Sequence, residues 1–544
     1  WVETVARFRS SPEPASVHQP AALFLMAAFF SQGYRVQVKN TFIHDFGTGA
    51  EEVPIHAARR CHSEPPLRTP ATGAGGPAAE LEPEGAPANG IVSALHMMEV
   101  EKTANGVLEV AFQQLAHLSP EEIAGALYLA ARRLRRPQLE AASALLLQPL
   151  LLRLQDGIAE LRDGRGLSQL AWALGKFGTR AHPRCSLPAH GIDECMLHVC
   201  QQYPAVLAEC SDAELTNSLW GLARLYPGAA SGVAGWVEVV SVTSHAMVRR
   251  CLGRVATLTA QCLSNSLWAM ARLKMGGPDV AEFVARALSQ LHTASRLRAF
   301  TSQGIANVLW ALAQLRIAGV CGGPLDGTVQ TALVAVAEAS SHRLGDFQPQ
   351  ELSMAAWSLA KLYEGPRQGG APGGPCVGGP ARGGRCSSRP AVVDEMLLRL
   401  ASEATRRIDK FEDQGISNIA WALVTLGLAG GSAAAGRQFV ETAVDFCSTE
   451  LRGYSTQAVA NLLWACVRVD SAREKRVRQR LGRFCSAAAE VVTERMTSAS
   501  GGGLGAHAAV TWKDLASVAA ALSYGRQKSP PAARFAALLA QRAA

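Results

Sequence analysis

Two kinds of polar side chain recur at fixed distances from a tryptophan along this sequence. Carboxamides stand seven and three residues before the tryptophan, and a cation stands four residues after it. A carboxamide carries both donors and an acceptor, so it can bond the edge of a nucleobase or a peptide backbone. An Arg or Lys matches the charge of a phosphate. The spacing therefore predicts a surface that binds a polar chain.

Each copy is numbered here from its tryptophan, which is position 0; the seven are Trp172, Trp220, Trp268, Trp310, Trp357, Trp421 and Trp464. Position −7 is glutamine in five copies: Gln261, Gln303, Gln350, Gln414 and Gln457. Position −3 is asparagine in five copies: Asn217, Asn265, Asn307, Asn418 and Asn461. Position +4 is a cation in five copies: Lys176, Arg224, Arg272, Lys361 and Arg468. These fifteen residues are the candidate binding set.

Helical geometry brings the candidate positions together. At about 100° per residue, positions −7, −3, +1 and +4 lie within about 80° of one another on a helical wheel. Positions −5, −1, +2 and +5 are mostly apolar and share another face, as Leu263, Leu267 and Met270 illustrate. Small residues at −4 and +3 would let a neighbouring helix approach closely and cover the indole. We therefore expect a buried tryptophan and apolar face, with rows of amides and cations exposed side by side.

The helix that carries this pattern, helix A, has clear start signals. Ser119 and Ser211 are N-cap residues at position −9, and Glu122 and Glu214 complete capping boxes with them. The pattern predicts a helix of about fifteen residues that starts near position −8. A second apolar helix, helix B, follows each helix A and tends to end in arginines. Two roles stay open for those arginines, complementing the helix dipole or contacting phosphate.

The tryptophan copies are spaced by 42 to 48 residues, with longer gaps late in the chain. This period is typical of stacked helical repeats. Tyr128 and Ala520 take the tryptophan position in two weaker end copies, which gives about nine repeats. We predict an all-α solenoid of helical hairpins over 107–544, after a low-order N-terminal segment and linker at 1–90. Gly- and Pro-rich inserts at 365–390 and 497–507 interrupt the array.

Composition narrows the function classes. The formal net charge is +8, arginine outnumbers lysine, and the 13 cysteines form no CxxC pair, which suits a reducing compartment. The best metal candidates are Cys185, His190, Cys195, His198, Cys200 and Cys210, but they have only half of the paired spacing that a zinc site needs. We find no catalytic motif and expect no enzymatic activity, metal or cofactor. The apolar run 21–30 is too short to span a bilayer, so no membrane association is expected.

The fullest copies of the pattern Phe-x-x-Gln-x-Leu/Ile-Ser/Ala-Asn-x-x-Trp-Ala-Leu-Ala-x-Leu are Phe300–Leu315, Phe411–Leu426 and Tyr454–Val469. The pattern resembles the octotricopeptide repeat family and its relatives among the FAST-kinase-like and RAP-domain proteins, over roughly residues 107–530. The resemblance implies a right-handed superhelix that binds RNA in mitochondria or chloroplasts, in transcript maturation, stability, translation or ribosome assembly. This chain departs from the family in its longer units and in lacking the late Pro-rich signature.

Three interpretations of the amide and cation rows follow. In the first, the array binds single-stranded RNA or rRNA, with ribosomal or other RNA-processing proteins as further partners. In the second, it is an armadillo- or HEAT-like scaffold whose asparagines hold an extended peptide. In the third, the amides are only solvated or bond between repeats. A groove for basic peptides should be acidic, whereas position +4 is cationic and no acidic residue recurs, so charge favours RNA.

Overall fold

The computed structural model describes residues 94–134, 141–178, 189–229, 236–319, 327–364, 389–430, 433–469, 475–498, 512–524 and 530–543. The regular secondary structure within these ranges is entirely helical, which confirms the all-α prediction. The predicted low-order segment at 1–90 lies outside the described residues. So do positions 365–388 and 499–507 of the two predicted inserts.

The A helices follow the tryptophan pattern through the described residues. They are α3 (Pro120–Arg133), α5 (Gly164–Gly178), α7 (Asp212–Leu225), α9 (Ala260–Arg272), α12 (Ser302–Ile317), α14 (Pro349–Tyr363), α16 (Asp413–Thr425), α18 (Thr456–Arg468) and α20 (Trp512–Tyr524). Their lengths, 13 to 16 residues, match the predicted fifteen.

A helix B follows each helix A. The B helices are α4 (Ala141–Gly157), α6 (Ala189–Val206), α8 (Trp236–Leu252), α10 (Pro278–Gln290), α13 (Gly327–Ser341), α15 (Ala391–Arg406), α17 (Ala434–Ser448), α19 (Lys475–Ser498) and α21 (Pro530–Ala543). The described ranges thus contain nine A and B pairs, as the sequence predicts. A short helix α11 (Ala294–Arg298) follows α10.

The array begins earlier than the predicted residue 107. Helices α1 (Ala94–Val100) and α2 (Ala104–Gln113) pack against α3, and α2 also packs against α4. The Arg133 side chain donates a hydrogen bond of 2.6 Å to the backbone carbonyl of Glu99, which ties α3 to the end of α1. These two helices cover the apolar side that the first repeat would otherwise expose, as terminal caps of repeat arrays do.

The predicted helix starts are confirmed at atomic level. Ser119 and Ser211 each accept a hydrogen bond from the backbone N–H three residues later, and Glu122 and Glu214 bond back to complete both capping boxes. Further A helices are capped by a hydroxyl in the same way, through Thr259, Thr301 and Ser455. Each cap satisfies a backbone donor that the first helical turn leaves unpaired.

The helices belong to two compact units, Ile43–Leu362 and Tyr363–Ala544. In the first unit, the A helices α3, α5, α7, α9 and α12 pack side by side in chain order, and the B helices α4, α6, α8, α10 and α13 form a parallel row. The second unit repeats this arrangement with A helices α16, α18 and α20 and B helices α15, α17, α19 and α21. Each unit therefore has a layer of A helices and a layer of B helices.

The apolar face predicted for helix A lies in the core. Leu263, Leu267 and Met270 are fully buried, and the equivalent residues of the other repeats are buried as well. Successive A helices also pack edge to edge through small residues. One such contact joins α5 to α7, where a Cβ added to Gly221 would collide with the carbonyl oxygen of Ala171. A Cβ on Gly175 would lie 2.7 Å from the Cα of Gly221.

This contact makes a stability prediction for Gly221→Ala. The added methyl would collide with backbone of the neighbouring helix, which cannot rotate away as a side chain can. Overpacking of this kind costs about 1–3 kcal/mol. We expect the melting temperature to fall, as measured by circular dichroism at 222 nm.

Gly482→Ala is the matched control. Gly482 lies inside helix α19, and an added Cβ there would meet no atom within 4 Å. Because alanine favours helix over glycine by about 0.5–1 kcal/mol, the control should melt at the same or a higher temperature. Equal melting temperatures for the two variants would contradict the close contact between α5 and α7.

Candidate nucleic-acid interface

The aromatic residues at position 0 form a ladder along the A helices of the first unit. Ring centroids are 5.3 Å apart between Tyr128 and Trp172 and 5.9 Å apart between Trp172 and Trp220. The ladder continues with 6.1 Å between Trp220 and Trp268 and 6.2 Å between Trp268 and Trp310. Distances in this range are those of favourable aromatic pairs. The stacking of repeats therefore builds one continuous aromatic row from residues that are more than forty positions apart.

The predicted burial of the tryptophans is confirmed for four of the seven. Trp172, Trp310, Trp357 and Trp421 are buried, whereas Trp220, Trp268 and Trp464 are half-buried. Position 0 lies roughly opposite the apolar positions on the helical wheel, so the rings lie on the side of the A layer that faces away from the B helices. We call this side the tryptophan face.

A cation lies over most rings of the ladder. The Lys176 Nζ is 4.9 Å from the Trp172 ring centroid, and the guanidinium carbons of Arg224 and Arg272 are 5.5 Å and 5.8 Å from the rings of Trp220 and Trp268. The contact arises because residues four apart on a helix are neighbours on its surface. The quadrupole of each ring attracts the cation, and the contact does not neutralise its positive charge.

The same contact occurs in three other repeats. Arg468 lies 4.2 Å above the Trp464 ring, and Lys361 lies 6.0 Å above that of Trp357. Arg132 lies 5.8 Å above the Tyr128 ring, a cation that the sequence analysis missed. It could have been found, because Tyr128 takes the tryptophan position and Arg132 stands four residues after it.

The cations differ in exposure. Lys176, Arg224, Arg272 and Arg468 are half-buried, and Arg132 is as well. Lys361 is buried, with only 6% of its surface exposed, so the prediction that it is exposed is wrong. The row is interrupted at Gln314 and Thr425, which take position +4 after Trp310 and Trp421.

The prediction of an exposed asparagine row is wrong for four of its five members. Asn217, Asn265, Asn418 and Asn461 are between 0% and 5% exposed, and Asn307 is half-buried. The physical reason is the close packing of A helices. Gly221 at position +1 touches the preceding A helix, and Asn217 lies one turn earlier on that same edge. The asparagines thus lie between helices, where a ligand on the tryptophan face does not reach them.

The glutamine row remains accessible. Gln350 is exposed, and the other four candidates are half-buried: Gln261, Gln303, Gln414 and Gln457. Position −7 lies eleven residues before position +4, which corresponds to about 16 Å along a helix axis. The structure therefore keeps the glutamines and the cations apart, at opposite ends of each helix A, and does not bring the fifteen candidates into one cluster.

The arginines at the ends of helix B fasten one repeat to the preceding one. The Arg343 guanidinium donates a hydrogen bond of 3.1 Å to the carbonyl of Phe300, and Arg296 and Arg495 bond the equivalent carbonyls of Leu258 and Tyr454. Each acceptor stands ten residues before a tryptophan. Arg250 uses the same principle, because it donates to the carbonyls of Leu207 and Ala208. These contacts are a third role, bonding to backbone carbonyls of the connecting segments, and they test neither of the two roles that the sequence left open.

The described thiols and imidazoles have partners and pKa values that bear on metal binding. Within the described ranges, no group of three or more His, Cys, Asp or Glu side chains is placed to hold a metal ion. Cys195 is buried, which raises its pKa to about 12, and the neighbouring His198 imidazole lies 3.2 Å from the Gln202 amide instead. Burial raises the pKa of Cys200 to about 12 as well. Such thiols stay protonated at neutral pH and are poor ligands and nucleophiles.

Among the described helices, none combines the length and the apolar character that crossing a lipid bilayer requires.

Comparison with known proteins gives no family for this chain. No protein-family model matches it, and no curated protein matches it either. A solved structure with some similarity is the crystal structure of an engineered protein from the Northeast Structural Genomics Consortium. It is 11% identical, with 83% of this chain and 97% of that chain covered, at a TM-score of 0.18. A TM-score of 0.18 does not indicate a shared fold.

The ladder predicts that Trp310→Ala destabilises the protein. Trp310 is 5% exposed and contacts the Trp268 ring, so its removal leaves a cavity and breaks the ladder. Large-to-small core substitutions of aromatic residues cost about 3–5 kcal/mol. We expect a clearly lower melting temperature, and a smaller loss for Trp310→Phe, which keeps a ring. Unchanged melting of the alanine variant would show that the indole is not part of the core.

The arginine contacts predict that Arg343→Ala destabilises the array without a change of core packing. The variant loses a hydrogen bond from a charged donor, which is worth about 1.5–3 kcal/mol. Arg399→Ala is the control, because Arg399 pairs only with Glu395 on the same exposed helix face and such pairs contribute about 0.2–1 kcal/mol. Chemical denaturation should separate the two variants; equal midpoints would contradict an inter-repeat role for Arg343.

Proposed function

We propose that this chain is a single-stranded RNA-binding helical-repeat protein, whose tryptophan face holds the strand. The observation that carries the proposal is the row of cations fixed over the aromatic ladder, from Arg132 through Lys176 and Arg224 to Arg272. Four successive A helices each contribute one positive charge, at position +4, one helical turn after the aromatic residue. A row of like charges at regular intervals matches a polyanion whose own charges are regularly spaced.

The aromatic ladder holds these cationic side chains in defined positions. A long cationic side chain in solution loses rotamer entropy when it binds, which weakens a charge contact. Here the charged end of each side chain lies 4.9–5.8 Å from a ring centroid, so part of that ordering has already occurred on folding. The positions of the charges are therefore set before the ligand arrives, which favours binding of a ligand with matching spacing.

The burial of the asparagines weighs against the peptide-scaffold alternative. An armadillo-like array would use exposed asparagines to bond an extended peptide, and Asn217 and Asn265 lie between helices instead. The net charge of +8 and the cation row also disfavour a basic peptide as ligand. The resemblance to octotricopeptide repeats supports RNA over other polyanions, and we propose an organellar role in RNA metabolism on the same ground. The chain acts in this proposal by binding and not by catalysis.

The test replaces Lys176, Arg224 and Arg272 together by methionine, which keeps an apolar side chain over each ring. We expect weaker binding to single-stranded RNA. Each phosphate contact contributes about 0.7 to the slope of log affinity against log salt for a single strand, so the slope should fall by roughly 2. Fluorescence anisotropy at several salt concentrations measures both quantities.

Arg399, Arg406 and Arg483 replaced together by methionine provide the matched control. All three are exposed on B helices, and the triple variant loses the same charge. Its salt slope should stay close to that of the wild type. If the salt slope falls by the same amount in both triple variants, the net charge of the protein accounts for RNA binding and the tryptophan face does not. Polyglutamate as a competitor tests whether the ligand is an acidic peptide. If polyglutamate displaces the RNA at an equal concentration of negative charge, the proposal that the ligand is RNA is wrong.

A further inference from the structure

The cations and the accessible amides occupy different parts of the chain. The first four repeats, from Tyr128 to Trp268, have a cation at every position +4. Position −7 in those repeats is Glu121, Arg165, Ala213 and Gln261, so it carries an amide only once. The next four repeats have glutamine at every position −7, but Gln314 and Thr425 interrupt their cation row.

Resting on the proposed function, we infer that the first four repeats form a phosphate track, which holds RNA through its backbone and does not distinguish one base from another. The track consists of Arg132, Lys176, Arg224 and Arg272, together with the rings beneath them. Phosphate contacts fix the position of a strand and carry no sequence information.

The phosphate track offers few hydrogen-bonding side chains to the edges of the bases. Base readout by helical repeats needs two or three polar side chains per repeat that reach the base. In these repeats the asparagines Asn217 and Asn265 are 4% and 3% exposed, because each lies against the preceding A helix. Two accessible amides remain in the four repeats: Gln169 lies about 10 Å along its helix from the cation of its repeat, and Gln261 lies about 16 Å from the cation of its own. Each repeat therefore offers at most one accessible amide, fewer than the two or three polar side chains that base readout needs.

The rings are also poor platforms for bases. Proteins that bind single strands by stacking expose an aromatic face to each base. Here Trp172 is 1% exposed and lies between Tyr128 and Trp220, with Lys176 over its plane. The rings of Trp220 and Trp268 are half-buried, and each contacts neighbouring rings and has an arginine over it. A base that stacked on either ring would have to displace that arginine, so the ladder favours supporting the charges over stacking bases.

Gln314→Arg tests the track by extending it. Gln314 takes position +4 after Trp310, directly after the four cations, and four preceding repeats show that this position accepts a long cation over an aromatic ring. The variant should bind a single strand of ~20 nucleotides more tightly than the wild type does. Its salt slope should be steeper by about 0.7, the contribution of one added phosphate contact on a single strand.

Ala285→Arg is the control for the added charge. Ala285 is exposed on helix B α10, away from the tryptophan face, and its replacement adds the same charge to the same repeat region. The control should leave the salt slope unchanged. A slope for Gln314→Arg that equals the control slope, with both variants folded by circular dichroism, would overturn the track. Gln314→Lys repeats the test with the other cation that the row uses.

A panel of homopolymers tests indifference to base identity on the unaltered protein. Oligo(U), oligo(A) and oligo(C) of equal length should bind with affinities within about threefold, because the phosphates are the same in all three. A preference of a hundredfold or more for one base that persists when Gln303, Gln350, Gln414 and Gln457 are replaced together by alanine would overturn the inference and leave RNA binding intact. Absence of binding to any RNA at low salt would overturn the proposed function, and the phosphate track with it.

Discussion

The close side-by-side packing of successive A helices is the constraint on which the rest of the structure depends. It is seen directly where Gly221 meets the backbone of Ala171. Helices that pack through larger side chains usually lie 8–10 Å apart. The closer approach brings rings from successive repeats to 5.3–6.2 Å and encloses the asparagines of position −3. One packing interaction thus builds the aromatic ladder and removes four of the five asparagines from the surface.

The same packing determines what kind of recognition the tryptophan face offers. Four of the five asparagines lie between helices, and the accessible glutamines lie at the opposite end of each helix A from the cations. The cations over the rings from Tyr128 to Trp268 remain half-buried at the surface. Electrostatic contact with a polyanion tolerates small differences in geometry, because charge interactions fall off slowly with distance. Hydrogen bonding to a base does not tolerate them, because it requires short distances and aligned donors. The geometry of this face therefore favours contacts with the backbone of a strand.

The arginines of this chain divide into two groups with different tasks. Arg296, Arg343 and Arg495 are used inside the array, where they bond backbone carbonyls of the preceding repeat. Arg224 and Arg272 lie over tryptophan rings at the surface. The formal charge of +8 counts both groups alike, so it overstates the charge that a ligand would meet on the tryptophan face. The inter-repeat arginines therefore help to hold the fold together through hydrogen bonds, as core leucines do through packing.

The sequence alone determined the local features of this protein. The capping boxes at Ser119 and Ser211, the extent of each helix A and the burial of Leu263 follow from residues within a few positions of one another. The number of repeats follows from how often that local pattern recurs. Helix formation depends on such short-range contacts, so a sequence pattern is sufficient to predict them. Arg132 was within reach of the same reasoning, since it stands one turn after the residue that replaces tryptophan.

Only the tertiary structure decided which predicted surface residues are at the surface. Asn265 and Lys361 have the expected positions on their own helices, yet they are buried because of how closely a neighbouring helix lies. The carbonyl that Arg343 bonds belongs to a residue 43 positions earlier. Exposure and bonding of this kind depend on distances between helices, and those distances are set by the side chains of two or more repeats together. A helical wheel describes one helix in isolation and contains no information about them.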